Sequence, residues 1–433
     1  MRLDSGGIAR TLRWLIVVLA SCSATAATTS YKFDFGPGKI EPGYTQVLPT
    51  TTYSASLGYG FEPGSKIFGV HRGGPDALRG SFCTSDKPFF FSVALPEGNY
   101  NVTVTLGDAS GESTTTVKAE SRRLMLERIH TAAGKFETRT FTVNIRTPRI
   151  SDTQRVSLKK REIGYLHWDD KLTLEFSDTR PCVCGVEITP APDAITVYLA
   201  GDSTVTDQPR EPYNSWGQML PRFFKAGVAV ANHAESGESL KSFTGAHRID
   251  KILSTIKPGD YLLIQFGHND QKDKSRGAGA FTTYKASLQK YIEEARTRKA
   301  IPVLVTPVSR RSFGEDGKIE NNLGDFPDAV RQTAQEMQVP LIDLNAMSQK
   351  FYEAMGPDES ARAFAPRDHT HHDNYGSYEL AKCVVEGIRK SSPALASHLV
   401  GDAPAFDPSQ PDSIDNFKIP ADPGEPGRKP DGN

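Results

Sequence analysis

The sequence predicts an α/β domain with a five-stranded parallel sheet and flanking helices, preceded by an all-β sandwich domain. Two observations support this division. Residues 28–190 contain short segments of alternating polarity separated by Gly, Pro and Asp turns, which is typical of a sandwich. From residue 195 onward, apolar strand segments alternate with helical segments, which indicates a parallel sheet covered on both faces.

Residues 1–27 have the features of an export signal. Three arginines (2, 10 and 13) precede an apolar run at 14–20, and a small-residue cleavage pattern follows at 24–26. The run is much shorter than the ~20 residues that span a bilayer, so we expect no transmembrane span. Residues 19–22 also resemble a bacterial lipoprotein signal, in which Cys22 carries the lipid anchor. We therefore expect an exported protein that is periplasmic, extracellular or an outer-surface lipoprotein, and leave cleavage and lipidation as alternatives.

Composition excludes some classes of partner. The 51 Lys and Arg residues balance 52 Asp and Glu residues, so nothing predicts a nucleic-acid binder. The 5 cysteines form neither a zinc-type pair nor a dense disulfide framework. Cys182 and Cys184 point the same way along a strand, so they are poorly placed to bond to each other. A bond from one of them to Cys83 and buried free thiols both remain open.

The predicted sandwich strands show period-two alternation or dense aromatic and β-branched content. They cover residues 31–36, 89–95, 99–106, 136–143, 171–176 and 183–188. Helix signals are nearly absent before residue 190. The sequence Pro-Ala-Pro at 190–192 predicts a stiff linker to the second domain.

The second domain, residues 195–392, opens with a strand whose side chains are almost wholly apolar, as expected when both faces are buried. The five predicted strands cover residues 195–200, 228–232, 261–266, 302–306 and 340–343. The predicted helices cover residues 216–225, 249–256, 281–298, 326–337 and 376–389. Residues 393–433 hold many Pro, Asp and Gly and few large apolar groups, which predicts a mostly disordered tail.

Four polar clusters follow strands or precede the last helix of this domain. They are residues 201–203, 232–239, 267–270 and 368–372. Parallel strands bring such loops to one edge of the sheet, so we expect the clusters to converge there.

The side chains in these clusters fit acyl transfer. Ser203 is a candidate nucleophile, His371 its base, and Asp368 the carboxylate that orients the imidazole. The backbone N–H groups of Ser203 and Gly237 and the amide of Asn269 are candidate oxyanion donors. Taken singly, Asn269 could only brace a turn and Gly237 could only meet a conformational need.

The His-rich stretch at 369–372 has a rival interpretation as a metal site, because His and Asp are common ligands. No cysteine or carboxylate–histidine pair elsewhere completes such a site. We therefore expect neither a metal nor another cofactor.

The four clusters also carry a family resemblance. Residues 196–204, 232–239, 259–270 and 368–371 are similar to the four blocks of the SGNH hydrolases, and most similar to those of the rhamnogalacturonan acetylesterases. The resemblance covers about residues 195–390 and implies a flavodoxin-like α/β fold. It implies a nucleophilic Ser203, oxyanion donors at Gly237 and Asn269, and the catalytic pair Asp368 and His371.

The match has one departure. Relatives often carry an arginine after the glycine of the second block, and this chain has Glu238 there. A lipase-type Gly-x-Ser-x-Gly elbow is absent from the sequence.

The resemblance implies an exported esterase that removes acetyl groups from pectic polysaccharide, an acidic polymer. Arg310 and Arg311 follow the fourth strand and are candidates for binding its carboxylates, the alternative being solvated loop charges. Two other functions remain: an acetylesterase for another polymer such as acetylated xylan, and a carbohydrate-binding protein without activity. The sandwich domain either contacts carbohydrate or only supports folding of its neighbour.

Overall fold

The computed structural model describes residue 1, residues 30–421 and residues 426–431. The predicted export signal, including Cys22, lies outside the described residues except for Met1. Within the described part of the chain, no helix combines the length and the apolar character needed to cross a bilayer.

The first domain is a β-sandwich, as predicted. Its strands in the described residues are β1 Tyr31–Phe35, β2 Thr45–Val47, β3 Tyr59–Phe61, β4 Phe68–His71, β5 Ser81–Thr84, β6 Phe89–Ala94, β7 Gly98–Gly107, β8 Ser113–Ala119, β9 Arg123–Thr131, β10 Phe136–Ile145, β11 Lys171–Ser177 and β12 Val183–Pro190. One sheet has the order β10-β7-β12-β1-β2, with β5 pairing β12 and β4 pairing β5. The other sheet has the order β3-β6-β11-β8-β9.

Aromatic side chains fill the space between the two sheets. Phe33 and Phe35 of β1 meet Phe91 of β6 edge-on, with ring centroids 5.1 and 4.9 Å apart. Along β7 the alternate residues Val102 and Val104 are fully buried, which is the period-two pattern that the sequence predicts for a strand with one face in the core.

The second domain contains the predicted five-stranded parallel sheet. Its strands are β13 Ile195–Gly201, β14 Val228–Asn232, β15 Tyr261–Gln265, β16 Ile301–Val305 and β17 Leu341–Ile342, in the order β14-β13-β15-β16-β17. The helices are α1 Trp216–Met219, α2 Leu240–Gly245, α3 Arg248–Thr255, α4 Lys285–Thr297, α5 Phe326–Met337, α6 Leu344–Glu359, α7 Asn374–Ser391 and α8 Pro393–Ala396. Apolar cores lie on both faces of the sheet, so its strands are buried on both sides.

Several helical segments differ from the prediction, and two of them, α2 and α8, are short helices that were not predicted. The single helix predicted at 216–225 is α1 followed by a 3-10 turn, Leu220–Phe223, because Pro221 has no N–H to continue the α-helical bonding. Helix α6 was not predicted, and it bends at Gly356, whose φ is 77°.

The segment after residue 392 differs from the predicted disorder over its described part. Leu395 and Leu399 are buried in the core beside α7, and Ile419 is also buried. Lys382 of α7 pairs with Asp412 at 2.7 Å. The segment has few apolar residues, but these dock on a surface of the folded domain, which composition alone does not reveal.

The two domains are joined by buried charged groups. Arg123 of β9 lies 3.1 Å from Asp207 of the α/β domain, and both side chains are almost completely buried. Arg146 donates to the backbone oxygen of Asn232 at the end of β14. The β-sandwich therefore contacts the loops that follow β13 and β14.

The four described cysteines, at positions 83, 182, 184 and 383, are free and buried. Of the two alternatives for Cys83, the structure has the buried thiol. Burial raises the pKa of Cys83 to about 12, which keeps it in the unreactive thiol form.

Candidate active site

Ser203 lies in a tight turn directly after β13. A Cβ atom on Gly201 would lie 2.6 Å from Val205 and 2.9 Å from the backbone oxygen of Gln265, so only glycine fits where the chain folds back on the sheet. This turn holds Ser203 at the carboxyl edge, where the loops after β14 and β15 also meet.

Ser203, His371 and Asp368 form a connected set of side chains. The Nε2 atom of His371 lies 2.9 Å from the hydroxyl oxygen of Ser203. The Nδ1 atom of His371 lies 3.0 Å from Oδ2 of Asp368. The structure therefore brings together the three residues that the sequence predicts as the catalytic set.

Asp368 is fixed by its own turn. Its Oδ1 atom accepts hydrogen bonds from the backbone N–H groups of Thr370 at 2.8 Å and His371 at 3.0 Å. Burial acts to raise the pKa of Asp368, but the His371 ring and these two N–H groups outweigh it and hold that pKa well below the usual range. The carboxylate is therefore ionised and can hold the imidazole with Nδ1 protonated.

Only one of the three neighbouring histidines faces the serine. His369 is on the opposite side, where its ring contacts the backbone oxygen of Arg311 at 3.1 Å. His372 is in the core, 2.7 Å from the hydroxyl of Tyr352, and burial lowers its pKa to about 3. The geometry therefore separates His371 from its neighbours, which sequence alone does not.

The candidate oxyanion donors belong to the loops that follow β13, β14 and β15. Neither the Ser203 N–H nor the Gly237 N–H has an acceptor among the described residues. Gly237 has φ of 80°, a conformation that glycine adopts without strain. The Asn269 amide donates to the backbone oxygen of Glu238 at 3.0 Å, which fixes its orientation and leaves its second N–H.

A second carboxylate–histidine pair, which was not predicted from the sequence, supports the serine turn. Asp202 accepts from Thr204 N–H at 3.0 Å and lies 3.1 Å from Nδ1 of His268. The Nε2 atom of His268 lies 2.9 Å from the oxygen of Val308. Burial acts to raise the pKa of Asp202, but His268 and Thr204 outweigh it and lower that pKa. The sequence signal that could have revealed this pair is the Gly-His-Asn-Asp run at 267–270. The prediction assigned a role only to Asn269 in that run.

A cavity of about 590 Å³ lies beside the candidate catalytic residues. Tyr213 lines it and packs edge-on against the His371 ring, with centroids 6.0 Å apart. Gln208 also lines it and donates to the backbone oxygen of Ser203 at 2.9 Å. The sandwich domain supplies one wall, Lys159–Arg161, which the sequence analysis did not predict.

Arg310 and Arg311 do not line this cavity. Arg311 donates to the backbone oxygen of Pro357 at 3.0 Å and lies over the ring of Phe364. Arg310 is half-buried, and burial lowers its pKa. Their role in binding substrate stays a prediction.

Glu238, the departure from the family pattern, has a cationic partner from the other domain. Lys159 Nζ lies 2.8 Å from Glu238 Oε1. The cation nearest to Glu238 therefore comes from the sandwich domain. The described residues contain no cluster of three or more His, Cys, Asp or Glu side chains that could hold a metal ion.

A parallel sheet that carries connected serine, histidine and aspartate side chains at its carboxyl edge is an arrangement of serine-type acyl hydrolases. Residues 199–376 match the model of the GDSL-like lipase/acylhydrolase family. The chain belongs to this family and is a carboxylic ester hydrolase. Residues 31–150 match a second model, described as beta-agarase/YXIM esterase-like, galactose-binding domain-like.

Two curated relatives cover different parts of the chain. The rhamnogalacturonan acetylesterase RhgT of Bacillus subtilis is 45% identical over 221 residues, which are 48% of this chain and 94% of RhgT. The uncharacterized esterase YxiM of Bacillus subtilis is 29% identical over 371 residues, which are 83% of this chain and 91% of YxiM. The match to a crystal structure of the Bacillus subtilis YxiM protein includes 84% of this chain and 98% of the YxiM chain, at 26% identity and a TM-score of 0.45.

Proposed function

We propose that this protein is a carbohydrate acetylesterase that removes acetyl groups from rhamnogalacturonan, an acidic pectic polysaccharide, by a Ser-His-Asp acyl-enzyme mechanism. The observation that carries the proposal is the 2.9 Å contact between His371 Nε2 and the Ser203 hydroxyl, with Asp368 on the other ring nitrogen. The similarity of residues in the α/β domain to RhgT supports the acetyl group and the polymer.

In the first half of the reaction, the Ser203 hydroxyl oxygen attacks the acetyl carbonyl carbon while its proton passes to Nε2 of His371. Asp368 stabilises the imidazolium that forms, since its carboxylate faces Nδ1 at 3.0 Å. The N–H groups of Ser203, Gly237 and Asn269 stabilise the oxyanion. When the tetrahedral intermediate collapses, the sugar oxygen leaves and takes the proton from His371.

In the second half, water attacks the acetyl-serine and gives its proton to His371. Collapse of the second tetrahedral intermediate releases acetic acid and returns the proton to Ser203. Every proton movement therefore uses one imidazole nitrogen, and the reaction needs no group beyond these residues and water.

We also propose that the protein acts outside the cytoplasm, as a secreted protein or as a lipoprotein anchored at Cys22. This rests on the export-signal pattern of residues 1–27. Polymeric pectin does not cross a membrane, so an exported location is consistent with such a substrate.

The test is acetate release by the purified protein from acetylated rhamnogalacturonan and from acetylated xylan at equal acetyl concentration. The proposal expects a higher kcat/KM on rhamnogalacturonan. A preference for acetylxylan would reject the pectic substrate and keep the chemistry. No turnover of either polymer or of a small aryl acetate would reject the enzyme.

A further inference from the structure

The cavity beside the candidate catalytic residues is lined by both domains and by the chain's own C-terminal residues. The sandwich domain contributes Lys159, Lys160 and Arg161, and the α/β domain contributes Gln208 and Ser236. Residues 426–431 lie along the remaining wall. A sugar chain that reaches Ser203 through this cavity therefore passes the basic segment 159–161.

Arg161 is the centre of the basic wall. Its Nη2 and Nε atoms donate to Glu235 Oε1 at 2.6 and 3.1 Å, and Nη2 also donates to the Ser236 oxygen at 2.7 Å. The Nη1 atom points elsewhere and donates to a carboxylate of the C-terminal segment, Asp431. The Nε and Nη2 side of the Arg161 guanidinium is therefore held by the α/β domain. Its Nη1 side faces the Asp431 carboxylate in the cavity.

The net charge of this wall is positive when the C-terminal segment is set aside. Lys159 pairs with Glu238 at 2.8 Å and Arg161 pairs with Glu235 at 2.6 Å, so these two cations are matched by two carboxylates. Lys160 is exposed and has no ion-pair partner among the described residues. The basic wall therefore keeps one positive charge, that of Lys160, without an anionic partner among the described residues, and it can bind an additional anion.

The C-terminal segment, residues 426–431, lies at this position. Asp431 pairs with Arg161, and its Cβ lies 3.0 Å from where a Cβ on Gly237 would be. Lys429 Nζ lies 3.7 Å from Oδ2 of Asp368, and Gly427 N–H donates to the Glu211 oxygen at 2.6 Å. The segment lies across the candidate site, where Ser203 is only 1% exposed.

We propose that Arg161, supported by Lys159 and Lys160, is a subsite for the carboxylate of a uronic acid residue in the substrate, and that Asp431 occupies this subsite until substrate displaces it. An arginine with a free edge is suited to a carboxylate, because it offers directed N–H donors as well as charge. This inference rests on the proposed function in taking an acidic polysaccharide as the substrate. It gives the sandwich domain a direct role in recognising that polymer.

The first experiment compares Arg161→Gln and Lys160→Gln with the wild type on acetylated rhamnogalacturonan and on a neutral aryl acetate. The control is Arg155→Gln, an exposed arginine of the same loop that does not line the cavity. For Arg161→Gln, kcat/KM on the polymer should fall roughly tenfold further than kcat/KM on the aryl acetate, the usual worth of one charge-assisted hydrogen bond. The control should match the wild type on both substrates. An equal effect of Arg161→Gln on both substrates would overturn the subsite.

The second experiment removes residues 422–433 or makes the single change Asp431→Asn. Both should lower KM for the acidic polymer, because the polymer no longer competes with an internal carboxylate. The decrease should disappear at high ionic strength, which screens the exposed charges. An unchanged KM at low ionic strength in both variants would show that Asp431 does not hold the subsite.

A competition experiment separates the subsite from the proposed function. Oligogalacturonate, which carries no acetyl group, should inhibit aryl acetate hydrolysis by the wild type, and a neutral xylo-oligosaccharide should not. Arg161→Gln should weaken this inhibition roughly tenfold. If the wild type releases no acetate from rhamnogalacturonan but shows this Arg161-dependent inhibition, the proposed function fails and the subsite stands. If oligogalacturonate inhibits both proteins equally, the subsite fails.

Discussion

His371 holds its Nε2 atom 2.9 Å from the hydroxyl oxygen of Ser203, although 168 positions separate the two residues in the chain. The turn at 365–371 and the turn after β13 converge at the carboxyl edge of the sheet. The contact distinguishes His371 from His369 and His372, which have the same side chain in different surroundings. Replacing each of the three histidines in turn therefore tests which one is the base.

We expect His371→Ala to lower kcat/KM by at least about 10³-fold, since the serine loses its base. His369→Ala should stay near the wild type, because His369 contacts only the Arg311 region. His372→Ala should mainly lower the thermal midpoint, because its buried ring is bonded to Tyr352. Kinetics and thermal unfolding of the three variants distinguish these effects, and a larger kinetic loss in His369→Ala would mean that the base is misassigned.

Asn269→Ala should lower kcat by about 10²–10³-fold with a smaller change in KM, because it removes a donor that acts on the oxyanion. Asn269→Asp is the matched variant, since it keeps the shape of the side chain and replaces the N–H donor by an acceptor. The two variants should be similarly impaired. Near wild-type kcat in Asn269→Asp would show that the Asn269 N–H groups are not needed at the oxyanion.

We expect kcat/KM to decrease as the pH is lowered, and we expect one ionisation to cause this decrease. The pKa of Asp368 is held well below its usual range, so its carboxylate stays charged, and the stability it contributes is present above about pH 4 and is lost only at lower pH. The proposed base, His371 Nε2, has to be unprotonated to take the proton of Ser203. The acid limb of log kcat/KM against pH should therefore have a slope of one for a neutral aryl acetate, whereas a slope of two would show that a second group, Asp368 or another buried carboxylate, also titrates.

Loss of Asp207 should destabilise the protein, because Arg123 would remain as a buried charge between the domains. For Asp207→Ala we expect about 3–5 kcal/mol less free energy of unfolding. The control is Asp402→Ala, which removes an exposed carboxylate beside Arg222 and leaves Arg222 paired with Glu127, and it should cost less than about 1 kcal/mol. Urea unfolding of both variants measures this, and equal costs would contradict a buried domain contact.

Sequence patterns predicted the parallel sheet well because β13 to β16 are buried on both faces and form continuous apolar runs bounded by polar turns. In the sandwich they missed the short strands β2 to β5 and the longer strands β8 and β9. Strand β8 is rich in threonine and includes Lys118, whose charge is paired with Glu175 at 2.9 Å inside the domain. Strand β9 begins at Arg123, a buried charged residue that pairs with Asp207 of the second domain.

In the candidate site, too, local contacts could be predicted from the sequence and contacts between the domains could not. Asp368 and His371 are three positions apart, so their contact is local and the sequence could predict it. Lys159 and Arg161 reach Glu238 and Glu235 from the other domain, 79 and 74 positions away. No local pattern marks such a pair, and only the packing of the two domains reveals the basic wall of the cavity.

The most direct test of the account is acetate release by the wild type and by Ser203→Ala from acetylated rhamnogalacturonan, with Ser254→Ala, an exposed serine of α3, as control. We predict that Ser254→Ala matches the wild type, and that Ser203→Ala keeps the same thermal midpoint and loses at least about 10³-fold in kcat. A folded Ser203→Ala variant that retains more than a few percent of the wild-type rate would contradict the assignment of Ser203 as the nucleophile.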